Sequence, residues 1–178
     1  MRIITGFLKG RRLQLPAVFP ARPTTDFART GLFNVLANQM RFEGANLLNL
    51  YSGSGIIAFE FISRGGRMAS CVDLNPVTTR FIQKECQRLG ISSIYTFCRP
   101  VPVFLKQTSQ PFDLIFADPP FHEVDYEELL NEIFQSEALA PHTIVVLEHP
   151  GKDFKNHPYH YDTRRYGKIY FSFFRKTS

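Results

Sequence analysis

The sequence predicts an α/β fold in which a doubly wound, mostly parallel, seven-stranded sheet ends in an antiparallel hairpin. Short apolar segments of strand length alternate with helical segments between Gly44 and Glu148. This alternation is typical of a parallel sheet that is covered by helices on both faces. Two further strand-like segments flank Gly167 with no helix between them. Such a pair predicts an antiparallel hairpin at the end of the chain.

The predicted elements follow in order along the chain. Gly6 and Gly10 lie between short apolar runs, which predicts a small N-terminal β-hairpin, and the three prolines of residues 16–23 predict a connector. Thr24 or Thr25 then caps the first helix. The seven strands are predicted at residues 47–51, 68–74, 94–98, 112–117, 143–148, 159–165 and 168–175. The later helices are predicted at about residues 56–64, 76–89 and 125–135.

Length and composition exclude several classes of protein. The chain has 178 residues, 44% of them hydrophobic and 21% charged, which suits one folded domain and not a disordered chain. No uninterrupted apolar run is long enough to span a bilayer, and the N-terminus lacks the apolar core of a signal peptide. Three scattered cysteines without Cys-x-x-Cys spacing fit a reducing compartment. We therefore expect a cytoplasmic protein with no membrane partner and no bound metal.

Charge is distributed unevenly along the chain. Residues 1–30 carry a net charge of +5, residues 31–150 a net charge of −5, and residues 151–178 again +5. Basic ends around an acidic middle favour a polyanionic partner, and ordinary solvated surface charge is the alternative explanation. We divide the chain into a basic hairpin and connector at 1–23 and a main unit at 24–178, which together form a single globular unit. The candidate phosphate contacts are the N-terminal basic residues Arg2, Lys9, Arg11, Arg12, Arg22 and Arg29.

A glycine-rich turn and an acidic residue together indicate a nucleoside site. Glycines between a strand and a helix let the backbone approach a ligand, and Asp73 ends the next strand, where a carboxylate can accept hydrogen bonds from a ribose diol. A tight structural turn is the alternative. Position 58 is Ala58 where dinucleotide sites have a third glycine, which favours a nucleoside without phosphates over a nicotinamide dinucleotide. The candidate ligand contacts are Asn49, Tyr51, Ser52, Gly53, Ser54, Gly55, Asp73 and Leu74.

The run Asp118-Pro119-Pro120-Phe121 directly follows a predicted buried strand. Two prolines remove two N–H donors and stiffen the backbone. The carboxylate of Asp118 and the carbonyl of Pro119 are then free to face one small donor group, such as the exocyclic amino group of a planar ring. Phe121 is placed to stack on such a ring. A simple turn at the end of the strand is the alternative, and we assign these four residues to catalysis.

With these motifs the sequence resembles class I S-adenosylmethionine-dependent methyltransferases that act on exocyclic amino groups. Within that class it is similar to the bacterial RsmD family of 16S ribosomal RNA guanine-N2 methyltransferases. The matching segments lie at residues 1–6, 9–11, 22–26, 32–34, 63–65 and 165–167. The resemblance implies a Rossmann-like methyltransferase fold with S-adenosylmethionine as cofactor. It also implies that the partner is ribosomal RNA or an assembling small ribosomal subunit, and we expect a monomer.

Two departures from the family pattern leave alternatives open. The family usually has Asp where this chain has Asn49, and Gly-Asp where this chain has Cys98-Arg99. Within enzymes, an N6-adenine or a protein-glutamine methyltransferase has a similar Pro-Pro motif. A cofactor-impaired RNA-binding module of the same fold is the non-catalytic alternative. The residues also leave open which nucleotide is modified and whether Asp118 accepts the departing proton.

Overall fold

A computed structural model describes residues 1–20 and 24–176 of the chain. The seven strands are β1 (Asn46–Leu50), β2 (Met68–Asp73), β3 (Ile94–Cys98), β4 (Phe112–Ala117), β5 (Leu139–His149), β6 (His160–Tyr166) and β7 (Ile169–Phe174). The five helices in this part of the chain are α1 (Asp26–Ala37), α2 (Ile56–Ser63), α3 (Pro76–Leu89), α4 (Val101–Gln107) and α5 (Tyr126–Gln135).

All seven strands form one sheet in the order β3-β2-β1-β4-β5-β7-β6. Strands β1 to β5 pair parallel with one another, and β7 pairs antiparallel with both β5 and β6. The doubly wound, mostly parallel sheet and its C-terminal hairpin are therefore confirmed. The strand order reverses between β1 and β4, and this is the point at which open α/β sheets bind ligands.

Two hydrophobic clusters cover the two faces of the sheet. β1 is buried along its whole length because its alternate side chains enter both clusters. Leu47 packs with α1 and α2, and Leu48 packs with α4 and α5. A strand that is covered on both faces has a nearly continuous apolar sequence, and for this reason the parallel strands could be predicted from the sequence.

Local capping explains where several helices begin and end. The Thr25 side chain accepts a hydrogen bond from the N–H of Ala28, and this caps α1. Asn75 caps α3, Pro76 occupies its first turn, and Gly90 ends it at φ 70°. Asp125 caps α5 through the N–H groups of the next helical turn. These signals are local, so they were predictable from sequence.

The structure differs from the predicted elements in three places. Helix α4 was not predicted; it begins after Pro100, between the predicted strands at 94–98 and 112–117. Strand β5 begins at Leu139, four residues earlier than predicted. The N-terminal hairpin has the predicted path but only one bridging pair, Arg2 with Arg12. No helix in the described residues is long and apolar enough to cross a membrane.

The N-terminal segment is part of the main core and not a detached arm. Ile3, Leu8 and Leu13 are buried in the cluster that contains α1 and α2. The Glu60 carboxylate of α2 accepts hydrogen bonds from the backbone N–H groups of Ile4 and Thr5, at 2.8 and 3.0 Å. The apolar side chains of this segment thus pack against the side of the fold that contains α2.

Candidate functional site

A large cavity opens at the carboxyl ends of the parallel strands, where the strand order reverses. Its volume is about 1470 Å³. The loops after β1, β2 and β4, the end of β5 and the turn between β6 and β7 all contribute to its wall. Single ligand sites usually occupy about 300–1,000 Å³, so this cavity has room for two ligand groups side by side.

The turn between β1 and α2 forms one wall through left-handed backbone. Tyr51, Gly53 and Gly55 have φ values of 54°, 51° and 72°. A Cβ at Gly55 would lie 2.9 Å from the Ile82 side chain, so glycine is required there for space as well as for φ. The apolar side chains of Ile56 and Ile57 line the cavity at the start of α2. This wall therefore suits an uncharged ring or ribose better than a phosphate.

Asp73 joins two segments of this wall. Its two carboxylate oxygens accept hydrogen bonds from the N–H of Gly53 and the N–H of Asn75, both at 2.8 Å. Each carboxylate oxygen has a second lone-pair direction, so Asp73 can still accept from a ligand. Leu74 follows it, 68% exposed and in the cavity wall. Asp73 thus stabilises the glycine-rich turn in addition to its candidate ligand contact.

Two polar side chains at the bottom of this wall are buried without a partner among the described residues. The Nδ2 of Asn49 and the Oγ of Ser52 make no hydrogen bond, and both residues line the cavity. Asn49 is 1% exposed and Ser52 is 8% exposed. Buried polar atoms without a partner cost free energy, so these two atoms indicate a polar ligand at this position.

Asp118 and Pro119 line the same cavity at the end of β4, and the N–H of Asp118 donates to the carbonyl of Leu50 at 3.4 Å, just before the glycine-rich turn. Asp118 is partly exposed to the cavity and Pro119 is buried, whereas Pro120 and Phe121 are exposed at its edge. No ion pair or side-chain hydrogen bond reaches the Asp118 carboxylate within residues 1–20 and 24–176. Burial raises the pKa of Asp118 well above the usual range of a carboxyl group.

Glu148 is a site residue that the sequence left open between the edge of the pocket and a capping or surface position. It is 4% exposed, lines the cavity and accepts a hydrogen bond from the hydroxyl of Thr24 at 3.0 Å. Burial, together with the nearby charge of Asp118, raises the pKa of Glu148. Its place at the end of a buried strand was the available signal, but the sequence did not distinguish this side chain from a surface group.

The third-strand region departs from the family pattern without blocking the cavity. The Arg99 guanidinium donates to the side-chain oxygen of Gln107 at 2.9 Å, on α4. Pro100, Val101 and Pro102 form the cavity wall there instead. Arg99 therefore leaves the ligand space open, and the wall beside it is apolar.

An aromatic rim lies on the opposite side of the mouth. Phe27 is 70% exposed and packs edge-to-face on Tyr166, with ring centroids 5.7 Å apart. Lys168, in the turn between β6 and β7, is exposed beside them. Gly31 lies under the Tyr166 ring, where a Cβ would meet a ring carbon at 2.0 Å. The rim thus combines exposed aromatic surface with an exposed lysine.

The six candidate phosphate contacts differ in their exposure to solvent. The prediction for Arg29 is wrong because its side chain is fully buried; its guanidinium donates to the carbonyls of Thr24 and Arg2 and to Asp26. Arg2 is exposed, with Asp26 3.8 Å away. Arg22 lies outside the described residues. Lys9, Arg11 and Arg12 are exposed.

These last three basic residues lie away from the cavity. The carbonyl of Arg12 accepts a hydrogen bond from Arg88, near the end of α3 that points away from the cavity. A helix of this length spans about 20 Å, so they reach only a ligand that extends well beyond the cavity mouth. The described residues contain no group of three or more His, Cys, Asp or Glu side chains placed to hold a metal ion.

The fold and the cavity together define a class I methyltransferase. The strand order with an antiparallel seventh strand, the glycine-rich turn with Asp73, and Asp118-Pro119-Pro120-Phe121 are its features. More particularly, the chain belongs to the Conserved hypothetical protein 95 family, whose model matches residues 1–175.

Relatives and solved structures agree with this assignment. Ribosomal RNA small subunit methyltransferase D of Escherichia coli is 30% identical over 148 residues, 83% of this chain and 74% of that protein. The protein of the same name from Haemophilus influenzae is 31% identical over 152 residues, 83% of this chain and 78% of its own length. The structure of the Escherichia coli methyltransferase yhhF superposes with a TM-score of 0.86 at 26% identity and covers 99% of this chain and 97% of its own. The structure of a hypothetical protein from Thermus thermophilus superposes with a TM-score of 0.85 at 27% identity and covers 99% of both chains.

Proposed function

We propose that this protein transfers a methyl group from S-adenosylmethionine to the exocyclic N2 amino group of a guanine in 16S ribosomal RNA. The observation that carries the proposal is that Asp118 and Pro119 line the same cavity as the glycine-rich turn. Relatives that are 30% and 31% identical bear the name of a small-subunit ribosomal RNA methyltransferase, which supports the RNA substrate.

The cofactor half of the cavity fits an amino-acid nucleoside. The unpartnered Asn49 Nδ2 can donate to a carboxylate, and the Ser52 hydroxyl can donate to a carboxylate or accept from an ammonium group. Asp73 suits a ribose diol. Tyr51, Gly53, Ser54 and Gly55 supply the close backbone, and Leu74 with Val101 supplies apolar surface for a ring. The side chain of Arg99 points toward α4, which argues against the cofactor-impaired module.

The acceptor half of the cavity fits a flat base with an amino group. When bound, S-adenosylmethionine supplies an electrophilic methyl group on a sulfonium. The N2 lone pair of guanine is delocalised into the ring, so the protein has to orient it. Asp118 and the Pro119 carbonyl accept the amino hydrogens and direct the lone pair toward the cofactor half. Positioning of this kind contributes effective molarities of about 10⁵ M or more.

Asp118 is also suited to receive the proton that the amino group loses after methyl transfer. A carboxyl group whose pKa lies near neutrality is a better proton acceptor than an ordinary aspartate. Phe121 lies at the edge where a base extruded from RNA would stack. Pro120 holds the turn between them rigid.

RNA outside the cavity has two surfaces to contact, one mainly aromatic and one basic. The first is the rim of Phe27, Tyr166 and Lys168, which is placed for the nucleotides beside the target. The second is the exposed N-terminal group of Lys9, Arg11 and Arg12, which reaches more distant phosphates. Residues 1–23 then serve as the RNA-gripping part and residues 24–178 as the methyltransferase unit.

The experiment is a methylation assay with labelled S-adenosylmethionine. The substrates are small ribosomal subunits and their deproteinised RNA, both from a bacterial strain without the corresponding methyltransferase. We expect N2-methylguanosine at one position by mass spectrometry of the digested RNA. Label in N6-methyladenosine or in protein glutamine would replace this function with one of its alternatives. Absence of both label and calorimetric binding of S-adenosylmethionine would support the RNA-binding module.

A further inference from the structure

Glu148 differs from the other buried glutamates of the fold. The Glu60 carboxylate lies 2.9 Å from the Arg64 guanidinium, and Glu85 is likewise paired with an arginine. Glu148 is as deeply buried but has no cationic partner in the described part of the chain; the hydroxyl of Thr24 is its one side-chain donor there. A buried carboxyl group without a cation costs stability, so its position calls for a ligand that compensates it.

The sheet register brings Glu148 beside Asp118. β4 and β5 are parallel neighbours with Ala117 opposite Leu147, so the next position in that register sets Asp118 opposite Glu148. Neighbouring strands lie about 4.8 Å apart, and both side chains line the same cavity. Two carboxyl groups are therefore presented side by side at the bottom of the acceptor half.

We infer that Glu148 selects guanine by accepting a hydrogen bond from the N1–H of the base while Asp118 and the Pro119 carbonyl hold its N2 amino group. This inference rests on the proposed function. The Watson–Crick edge of guanine carries N1–H and N2–H₂ next to each other, so neighbouring donors meet neighbouring acceptors. Adenine carries a bare N1 acceptor beside its amino group, which the carboxylate of Glu148 repels once it is ionised, above its raised pKa.

Thr24 is the positioning residue for this contact. Its hydroxyl donates to Oε2 of Glu148 and leaves Oε1 for the base. Thr24 is separated from Glu148 by 124 positions in sequence, so the contact exists only in the folded protein. The adjoining α1 cap at Thr25 fixes the backbone at this point.

The test compares two substrates that share the target amino group, at about pH 8.5, above the raised pKa of Glu148. One is the RNA whose guanosine the wild-type enzyme methylates; the other carries 2-aminopurine at that position, which keeps the N2 amino group but has an N1 without hydrogen. We expect the wild type to prefer guanine by at least about 10-fold in kcat/KM, from one unpaired buried acceptor. We expect Glu148→Gln to reduce that preference to within about threefold, because an amide offers both a donor and an acceptor.

Glu137→Gln is the matched control, because Glu137 is an exposed carboxylate outside the cavity wall and should keep the wild-type ratio. Thr24→Val keeps the carboxylate but loses its orientation and should lower the ratio in part, which provides a second test if Glu148→Gln folds poorly. Equal slowing of both substrates in Glu148→Gln and Thr24→Val would overturn the inference. Failure of the wild type to methylate guanine would refute the proposed function instead.

Discussion

Replacing Glu148 with Gln should stabilise the protein at alkaline pH and leave it unchanged at acidic pH. The pKa of a glutamate in an unfolded chain is about 4.3. Burial, the first cause, and the charge of Asp118 raise the pKa of Glu148 to about 8 in the fold. Between those two values the folded state binds more protons than the unfolded state. Stability from this group therefore falls as pH rises through that window.

The magnitude follows from the size of the window. One pKa unit corresponds to about 1.4 kcal/mol, so the full shift sets an upper bound of about 5 kcal/mol. Asp118 contributes to the raised pKa of Glu148, and the cavity admits water. We therefore expect Glu148→Gln to exceed the wild type in unfolding free energy by about 1–3 kcal/mol at pH 8. At pH 5 the protonated Glu148 and a glutamine are isosteric and uncharged, and each can accept from Thr24. The difference there should be close to zero.

Thermal unfolding of both proteins from pH 5 to pH 8.5 measures this effect. A gain of about 1–3 kcal/mol raises the melting temperature by roughly 2–12 °C in a chain of this size. Glu137→Gln, an exposed carboxylate, is the control and should show no such pH dependence. If the melting temperatures of wild type and Glu148→Gln differ by the same amount at every pH, Glu148 is not a buried carboxyl group without a compensating cation.

Three further predictions concern the acceptor, the basic group and the rim. Asp118→Ala should lower single-turnover methyl transfer by about 10²-fold or more without changing the calorimetric affinity for S-adenosylmethionine, and wild-type turnover would exclude its role. Changing Arg11 and Arg12 together to Ala should flatten the log–log salt dependence of RNA binding by roughly 1 to 1.5 units, whereas parallel lines would show no phosphate contact. Gly31→Ala should destabilise the fold by about 1–3 kcal/mol because its Cβ overlaps the Tyr166 ring. Combining it with Tyr166→Ala should relieve that overlap, so additive losses in thermal unfolding would contradict the packing.

The elements that sequence predicted well are those fixed by local chemistry. Strands β3 and β4 begin and end where their apolar runs do. The cap at Asn75 and the left-handed end at Gly90 depend only on neighbouring residues. Asp73 and Asp118 were identified because Asp73 ends one strand and Asp118 directly follows another, and parallel strands bring their carboxyl ends to one edge.

The residues that sequence analysis missed or misassigned depend on distant partners. Arg29 looked like a surface cation, but it is buried because the backbone carbonyls of Thr24 and Arg2 accept from it. The role of Glu148 could not be predicted because its hydrogen-bond partner, Thr24, lies 124 positions away in the sequence. Helix α4 was not predicted because the prolines at its start are typical of a loop, although proline is tolerated in a first helical turn.

The charge pattern of the chain fits a division between base and phosphate. The cavity wall carries the carboxyl groups of Asp73, Asp118 and Glu148, whereas Lys168 stands at its mouth. Arg11 and Arg12 are farther out, on the surface of the N-terminal segment. An acidic interior repels phosphate, and a basic exterior attracts it. On the proposed function, RNA therefore binds with its backbone outside, and entry is restricted to a neutral base whose hydrogen-bond donors meet the two carboxyl groups.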